Sequence, residues 1–385
     1  MHALVGHQAV AQALAHAHGS GKLPSCMLFH GAPGVGKQRL ALWVSQLLLC
    51  EQPGPEHPCG ECKSCHMCGT LQHPDLHWYF PLPRPKGAST PEKLRGALEN
   101  ARFDRLAEIR AQPLQPSVSS TDPTGLYLAV AQSLRSRAQQ RPSMGSRQVF
   151  LIGEAETLVP QDASQEAANA LLKLLEEPPP STYLILTSNQ PERLLATIRS
   201  RTLPLHIPAV PKPVVRDFLV EVAEVDTAEA ERAANLGGGS IGRALGFVPD
   251  GDENGPLELL RQDAFRLLRA ATSKNPGPGY RRALGTPASR ARTLLPLLEF
   301  VETAIRDLAT GACEAHDATL SADAREFLER VAREHTLHPT YMAEALACVE
   351  DAKEMAAGNV NPQLVVAGLT LDLREALLRT RPVHA

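Results

Sequence analysis

A short apolar run, Cys26 to His30, leads into Gly31-Ala32-Pro33-Gly34-Val35-Gly36-Lys37. From Lys37 to Leu49 the residues Leu40, Val44, Leu47 and Leu48 recur at helical spacing. Strand, glycine-rich turn and helix form the context in which this spacing makes a phosphate-binding loop. Its glycines let successive backbone N–H groups curl around phosphate oxygens, and the helix N-terminus adds the positive end of its dipole. Gly31, Gly34, Gly36, Lys37 and Gln38 are therefore candidate nucleotide-binding residues, with Lys37 reaching the outer phosphates. A glycine-rich turn without a ligand is the plainer alternative.

Such a loop belongs in an α/β unit. Four further apolar runs read as strands: Leu76 to Phe80, Val149 to Ile152, Tyr183 to Thr187 and Leu205 to Ile207. Several are nearly continuous in apolar residues, as strands buried on both faces are. Helical spacing between them, as at Ala168, Leu171, Leu172 and Leu175 within Gln165 to Glu177, points to a mainly parallel sheet. Residues 81 to 125, rich in Pro, Ser and Arg, read as an irregular insertion or mobile excursion with one helical patch, Glu92 to Ile109. After Ile207 the strand signals stop. The expected division is an α/β domain over 1–208, a small helical lid over 209–250 and an all-α collar over 251–385. Thr293 to Leu308 and Ala322 to Arg333 are the clearest collar helices.

The loop departs from its pattern where a magnesium ion would sit. A Ser or Thr should follow the lysine and offer its hydroxyl to Mg²⁺; the residue is Gln38. A later strand should end in an Asp that holds the metal, but Val149 to Ile152 ends in Gly153-Glu154-Ala155-Glu156. Glu154 remains able to act on water without a metal partner beside it. Phosphoryl transfer draws much of its charge neutralisation from Mg²⁺. The chain is therefore expected to hold Mg²⁺ poorly and to hydrolyse ATP slowly, although ATP or ADP can still enter the cradle.

Five of the eight cysteines fall between Cys50 and Cys68. Cys59, Cys62 and Cys65 recur every third residue, with Cys50 upstream. Four thiolates at this spacing make a soft tetrahedral site that favours zinc and leaves no open position for catalysis. Cys68 continues the spacing and is an alternative to Cys50. An iron–sulfur cluster and free or redox-active cysteines are the other readings. His57, His66 and His73 read as ordinary loop histidines.

The formal net charge of -3 argues against a surface that grips nucleic acid along its whole length. No apolar run approaches the roughly 20 residues of a membrane span. The first residues lack the layout of a signal peptide, so a cytoplasmic location without membrane contact is expected.

The order phosphate loop, helix, Cys50, Cys59-Gly60-Glu61-Cys62-Lys63-Ser64-Cys65 and His73-Pro74-Asp75 resembles the bacterial clamp-loader AAA+ subunits. The resemblance continues through Ala170 to Pro179 and Pro191 to Arg201, so that it spans most of residues 1 to 247. Beyond that it rests on length and helical character alone. It implies an α/β AAA+ P-loop domain with a parallel sheet, a small helical lid and an all-α collar. Two branches of the family compete. The gamma/tau branch is the ATPase motor, with complete metal-binding motifs. The delta-prime branch is a stator with an eroded site, and Gln38, Gly153 and the short segment before Val5-Gly6-His7-Gln8 point to it. The intact Lys37 fits the motor better. A zinc-stabilised AAA+-like regulatory module in DNA repair is a third reading.

What the resemblance implies about roles is specific. Partner subunits are gamma/tau and delta in a hetero-pentamer within a DNA polymerase holoenzyme. Through that complex the chain would meet the β sliding clamp and primer-template DNA. Arg201, in Ser200-Arg201-Thr202, would be the arginine finger supplied in trans to a neighbouring ATP site. Arg243, in Gly239-Ser240-Ile241-Gly242-Arg243, matches the second sensor of the lid and would approach a nucleotide bound in cis, a surface ion pair being the alternative.

Overall fold

The computed structural model describes residues 4–87, 90–115, 124–158, 166–251, 253–273, 275–287, 291–312, 321, 324–335, 339–358 and 360–378. The chain forms two compact units, Met1–Leu245 and Gly246–Ala385.

The first unit is built on five parallel strands. These are β1 (Cys26–His30), β2 (Leu76–Tyr79), β5 (Gln148–Ile152), β6 (Thr182–Ser188) and β7 (Leu203–His206), in the order β2-β5-β6-β1-β7. Parallel strands need crossover connections, and helices supply them. They are α2 (Lys37–Leu49), α3 (Lys63–Gly69), α5 (Leu128–Ala138), α6 (Glu166–Glu176) and the single turn α7 (Ala196–Arg199); α1 (Gln8–Gly19) precedes β1. Side chains alternate between the two faces of the sheet. Met27, Phe29, Val149, Leu151 and Ile185 pack with Leu40, Val44 and Leu48 of α2. Leu28, Phe150, Ile152, Leu184 and Leu186 pack with Leu134 of α5 and Leu171 and Leu175 of α6. With both faces covered, the strands read as apolar runs, which is why the first four were legible.

The fifth strand differs from its expected position. It runs Leu203–His206 rather than Leu205 to Ile207, and pairs only with β1, Leu28 facing Pro204. An edge strand tolerates Pro204, which has no N–H to donate, and leaves Leu203 exposed. Half its residues therefore lack the apolar signature. The excursion over 81 to 125 is also more regular than its composition suggests. Two short strands, β3 (Leu82–Pro83) and β4 (Thr124–Gly125), pair antiparallel at its base. Between them runs α4 (Pro91–Ala111), started by Pro91 and capped by Thr90, whose hydroxyl accepts from the Lys93 N–H. Leu98 and Leu106 are buried. Residues 116–123 of the excursion and Gln165 of the expected helix lie outside the described residues.

Three helices complete the unit: α8 (Lys212–Glu221), α9 (Thr227–Gly237) and α10 (Ile241–Phe247), which runs across the boundary of the units. Asp226 caps α9 and Gly238, at φ 56°, ends it.

The second unit is all-helical among the described residues: α11 (Pro256–Thr272), α12 (Gly277–Gly285), α13 (Leu295–Ala312), α14 (Arg325–His335), α15 (Pro339–Ala357) and α16 (Pro362–Leu378). Its core includes Leu267, Leu298, Val301, Ile305, Val349, Leu369 and Leu373. Ala322, in the expected helix, lies outside the described residues. Among the described residues no helix is long and apolar enough to cross a membrane.

Both tryptophans, Trp43 and Trp78, belong to the first unit, so their fluorescence reports its unfolding alone. Ile185, fully buried in a central strand, is expected to cost about 2–5 kcal/mol when replaced by Ala, measured by tryptophan-detected urea unfolding. Leu203→Ala, at the exposed edge, should cost under about 1 kcal/mol.

Candidate functional site

The carboxyl ends of β1, β5 and β6 meet at one edge of the sheet, where open α/β folds bind ligands. From β1 the chain passes into the phosphate loop. Gly31 leaves the sheet with its N–H still donating to the Ser188 carbonyl. A Cβ at Gly31 would lie 2.4 Å from the Ile207 carbonyl oxygen, so no side chain fits. Gly34, at φ 72°, packs against the start of α10: a Cβ there would lie 2.4 Å from Ser240 Oγ, and the Gly242 N–H donates to the Gly34 carbonyl at 3.0 Å. Gly36 is the left-handed residue from which α2 begins.

Lys37 is folded back onto its own loop. Its ammonium donates to the carbonyls of Gly31 (2.9 Å) and Ala32 (2.7 Å) and to Asn189 Oδ1 (2.7 Å). Asn189 follows β6, and its backbone N–H donates to Glu156 Oε1 at 3.0 Å. Burial brings the Lys37 amine down to about 8, with Glu156 and then Glu154 opposing the fall. Burial likewise raises the Glu154 carboxyl above its ordinary value, helped by Glu156 and opposed by Lys37. Glu154 sits in the left-handed region at φ 49°. Asn189 and Glu156 were not singled out in the sequence. The only available signal was their place at the ends of β6 and β5.

Gln38 and Gly153, distant in sequence, prove to be one feature. A Cβ at Gly153 would stand 2.9 Å from Gln38 Nε2 and 3.5 Å from Trp78 Nε1. The end of the Gln38 side chain thus lies beside the position that a side chain at 153 would take. Gly34, Gly36 and Gln38 also line a cavity of about 430 Å³, together with His7, Arg39 and Trp78. The walls include Ile241 and Gly242 but neither Arg243 nor Lys37.

The four cysteine sulfurs expected to hold a metal come together: Cys50, Cys59, Cys62 and Cys65 place all Sγ atoms within 4.8 Å of one another. Cys50 and Cys59 are 3.5 Å apart, and Cys59 and Cys65 3.9 Å. Tetrahedral zinc with Zn–S near 2.3 Å has an S···S edge of about 3.8 Å, so four thiolates here could hold such an ion. The loop aims backbone donors at its sulfurs, while burial pushes the Cys50 and Cys65 thiols up. Backbone N–H groups of Cys59, Cys62 and Cys65 donate to the sulfurs of Cys50, Cys59 and Cys62, each at 3.4 Å. The N–H groups of Cys62 and then Glu61 bring the Cys59 thiol down to about 7. Cys68 is outside the cluster; it is fully buried, and burial pushes its thiol up to about 12. His73 is buried within the loop's support. Its Nδ1 accepts from the Asp75 N–H, so its Nε2 faces Ser64 Oγ as a donor, and that hydroxyl donates in turn to Glu51.

Arg201 lies apart from both sites, just after α7. Its Nε donates to Glu176 Oε1 at 2.8 Å, its Nη2 to the same oxygen, and its Nη1 to the Thr197 carbonyl. The side chain is 31% exposed, which leaves the guanidinium accessible at the surface of the isolated chain.

With this geometry in place the comparisons with known proteins are specific. The family described as DNA polymerase III, delta subunit, matches residues 6–211. The chain belongs to that family. It is 34% identical over 215 residues to DNA polymerase III subunit delta' of Pseudomonas aeruginosa, covering 55% of this chain and 52% of the relative. Against subunit delta' of Escherichia coli K12 identity is 28% over 243 residues, 63% and 60% of the two chains. Subunit tau of the same organism is 28% identical over 270 residues, covering 69% of this chain and 35% of tau. The chain thus spans between half and two thirds of the length of these delta' relatives.

The depressed Lys37 value makes a prediction about stability. The unfolded lysine titrates near 10.5 and the folded one near 8, so between these values the unfolded state binds more protons. The contribution of Lys37 to folding therefore becomes more favourable as pH rises from about 8 to 10.5. Melting curves of the native chain and Lys37→Met should show the native chain gaining on the variant across that window.

Proposed function

We propose that this chain is the delta-prime, or stator, subunit of a DNA polymerase III clamp loader, and that it supplies Arg201 in trans to an ATP site of a neighbouring gamma/tau subunit. The observation that carries this reading is the Gln38–Gly153 pair, which stands where both ordinary Mg²⁺ ligands would be and sets an amide nitrogen 2.9 Å from the place of a Cβ at 153. A chain with such a site serves the ring by geometry rather than by its own turnover. Family membership and the delta' and tau relatives support the complex in which it works. In that complex its partners are gamma/tau and delta, and through them the β clamp and primer-template DNA. The helices α8 to α10 serve as the lid, and the second unit as the collar.

In the isolated chain Arg201 is held by Glu176. Within a ring it exchanges that partner for the γ-phosphate of the adjoining subunit. A trans-acting arginine is worth roughly 10³- to 10⁵-fold at the site it serves. Arg201→Ala is expected to leave the pentamer intact by gel filtration and to slow DNA-stimulated phosphate release and clamp loading. The fall in total turnover is smaller than the loss at one site, because the other sites continue. Arg201→Lys should rescue little, since an ammonium lacks the planar fork that spans two phosphate oxygens. Unchanged turnover in an intact ring would refute the role.

The thiolate cluster takes one structural Zn²⁺ through Cys50, Cys59, Cys62 and Cys65. Elemental analysis of the purified chain should return one zinc and no sulfide-bound iron. Cys62→Ser should lower the zinc content and loosen the loop between Cys50 and Cys68 to protease, with less effect on the melting of the whole unit.

A further inference from the structure

Ser64 lies between Cys62 and Cys65 and is buried. Its backbone N–H and its hydroxyl both donate to Glu51 Oε1, at 3.2 and 3.0 Å. Glu51 directly follows Cys50 and reaches in from the surface. The contact therefore ties the neighbour of Cys50 to the neighbour of Cys65, thirteen positions apart in the chain. A second tie comes from α2, where Gln46 Nε2 donates to the Cys65 carbonyl at 3.2 Å. From the other side, His73 Nε2 donates to Ser64 Oγ at 3.3 Å. His73 is itself fixed, because its Nδ1 accepts from the Asp75 N–H. The Asp75 carboxylate in turn accepts from the N–H groups of Ser143, Met144 and Gly145, in the turn that precedes β5. His73 and Asp75 are only 4% and 2% exposed, so water competes little for these bonds.

We propose that Glu51 and Ser64 are positioning residues for the cysteine site: they hold Cys50 and Cys65 within reach of one ion before it binds, and so set how tightly zinc is kept. The inference rests on the zinc reading and adds to it two residues that never touch the metal.

The physical argument is one of order. Four thiolates on a slack loop would have to be gathered when the ion arrives, at a cost in chain entropy. Here the two ends of the set are already joined through a carboxylate and a serine, and that ordering is part of the folding of the unit. Preorganisation raises affinity without adding any contact to the ligand. Groups just outside a metal's ligands typically change its affinity by about 10- to 100-fold. The fixed Ser64 N–H also lies in the first turn of α3, where the next N–H, that of Cys65, donates to Cys62 Sγ. A rival cause is charge, since a carboxylate beside the cluster attracts a dication through space. Glu51→Gln separates the two, because it removes the charge and keeps an oxygen that accepts from Ser64.

The test starts from the zinc-loaded full chain and titrates a chromophoric chelator against it. Ser64→Ala and Glu51→Leu should each weaken zinc binding by roughly tenfold or more. Glu51→Gln should stay near the native value. Glu51 is at the surface, so its variants should melt close to the native chain while zinc-loaded. Substitution of Co²⁺ for zinc should give one d–d spectrum in all four chains, because the four cysteines remain. Native zinc affinity in both Ser64→Ala and Glu51→Leu overturns the inference. So does a loss in Glu51→Gln as large as in Glu51→Leu, which would assign the effect to charge, and so does a changed cobalt spectrum, which would mean a changed ligand set. A native chain that holds no zinc would instead overturn the zinc reading itself, and the inference with it.

Discussion

Strand β1 is the element on which the first unit depends. It is hydrogen-bonded on both edges, to β6 and β7, and buried on both faces, with Met27, Leu28 and Phe29 almost wholly excluded from water. This placement satisfies its backbone groups and its apolar side chains together. Because β1 cannot shift, the loop that leaves it is aimed at one point. The Gly31 N–H still bonds to Ser188 of β6, and the Ile207 N–H to His30 of β1. The glycines then follow from space: the loop runs so close to Ile207 and to Ser240 that side chains at 31 and 34 are excluded.

Much of this was legible in the residues. Lys37 to Leu49 is a helix over the span its apolar spacing marks, and the helical patch at 92–109 lies within α4. Burial on one face leaves a period of 3.6, and burial on two leaves an apolar run. The cysteine cluster was legible because its members are close in sequence and the loop between them is short. What escaped were pairings across the fold. The contact between Lys37 and Asn189 joins residues 152 positions apart, and which residue waits at the end of β6 depends on strand order. Leu203 escaped for the opposite reason: an edge strand has one covered side, and half its residues carry no apolar mark.

Gln38 and Gly153 show how an eroded site can be coherent. Read separately, each is the absence of a ligand. In the fold they are neighbours, the Gln38 amide nitrogen lying 2.9 Å from where a Cβ at 153 would stand. A side chain restored at 153 would have to displace the end of the Gln38 side chain, which is flexible enough to move.

Helix α2 joins the two chemical features of the unit. Its thirteen residues make a rod of about 20 Å, with the phosphate loop at its first turn and Cys50 as its C-cap. Helix ends ordinarily fray, since the last four carbonyls lack partners within the helix. Here the far end is tied by hydrogen bonds: the Cys59 N–H donates to Cys50 Sγ at 3.4 Å, and Arg147 donates to the Leu48 carbonyl at 3.2 Å. A rod clamped at its tail cannot easily turn about its long axis. The angle at which Lys37 and Gln38 meet whatever lies in the loop is therefore set partly from the opposite end of the helix, by sulfur atoms that never approach it.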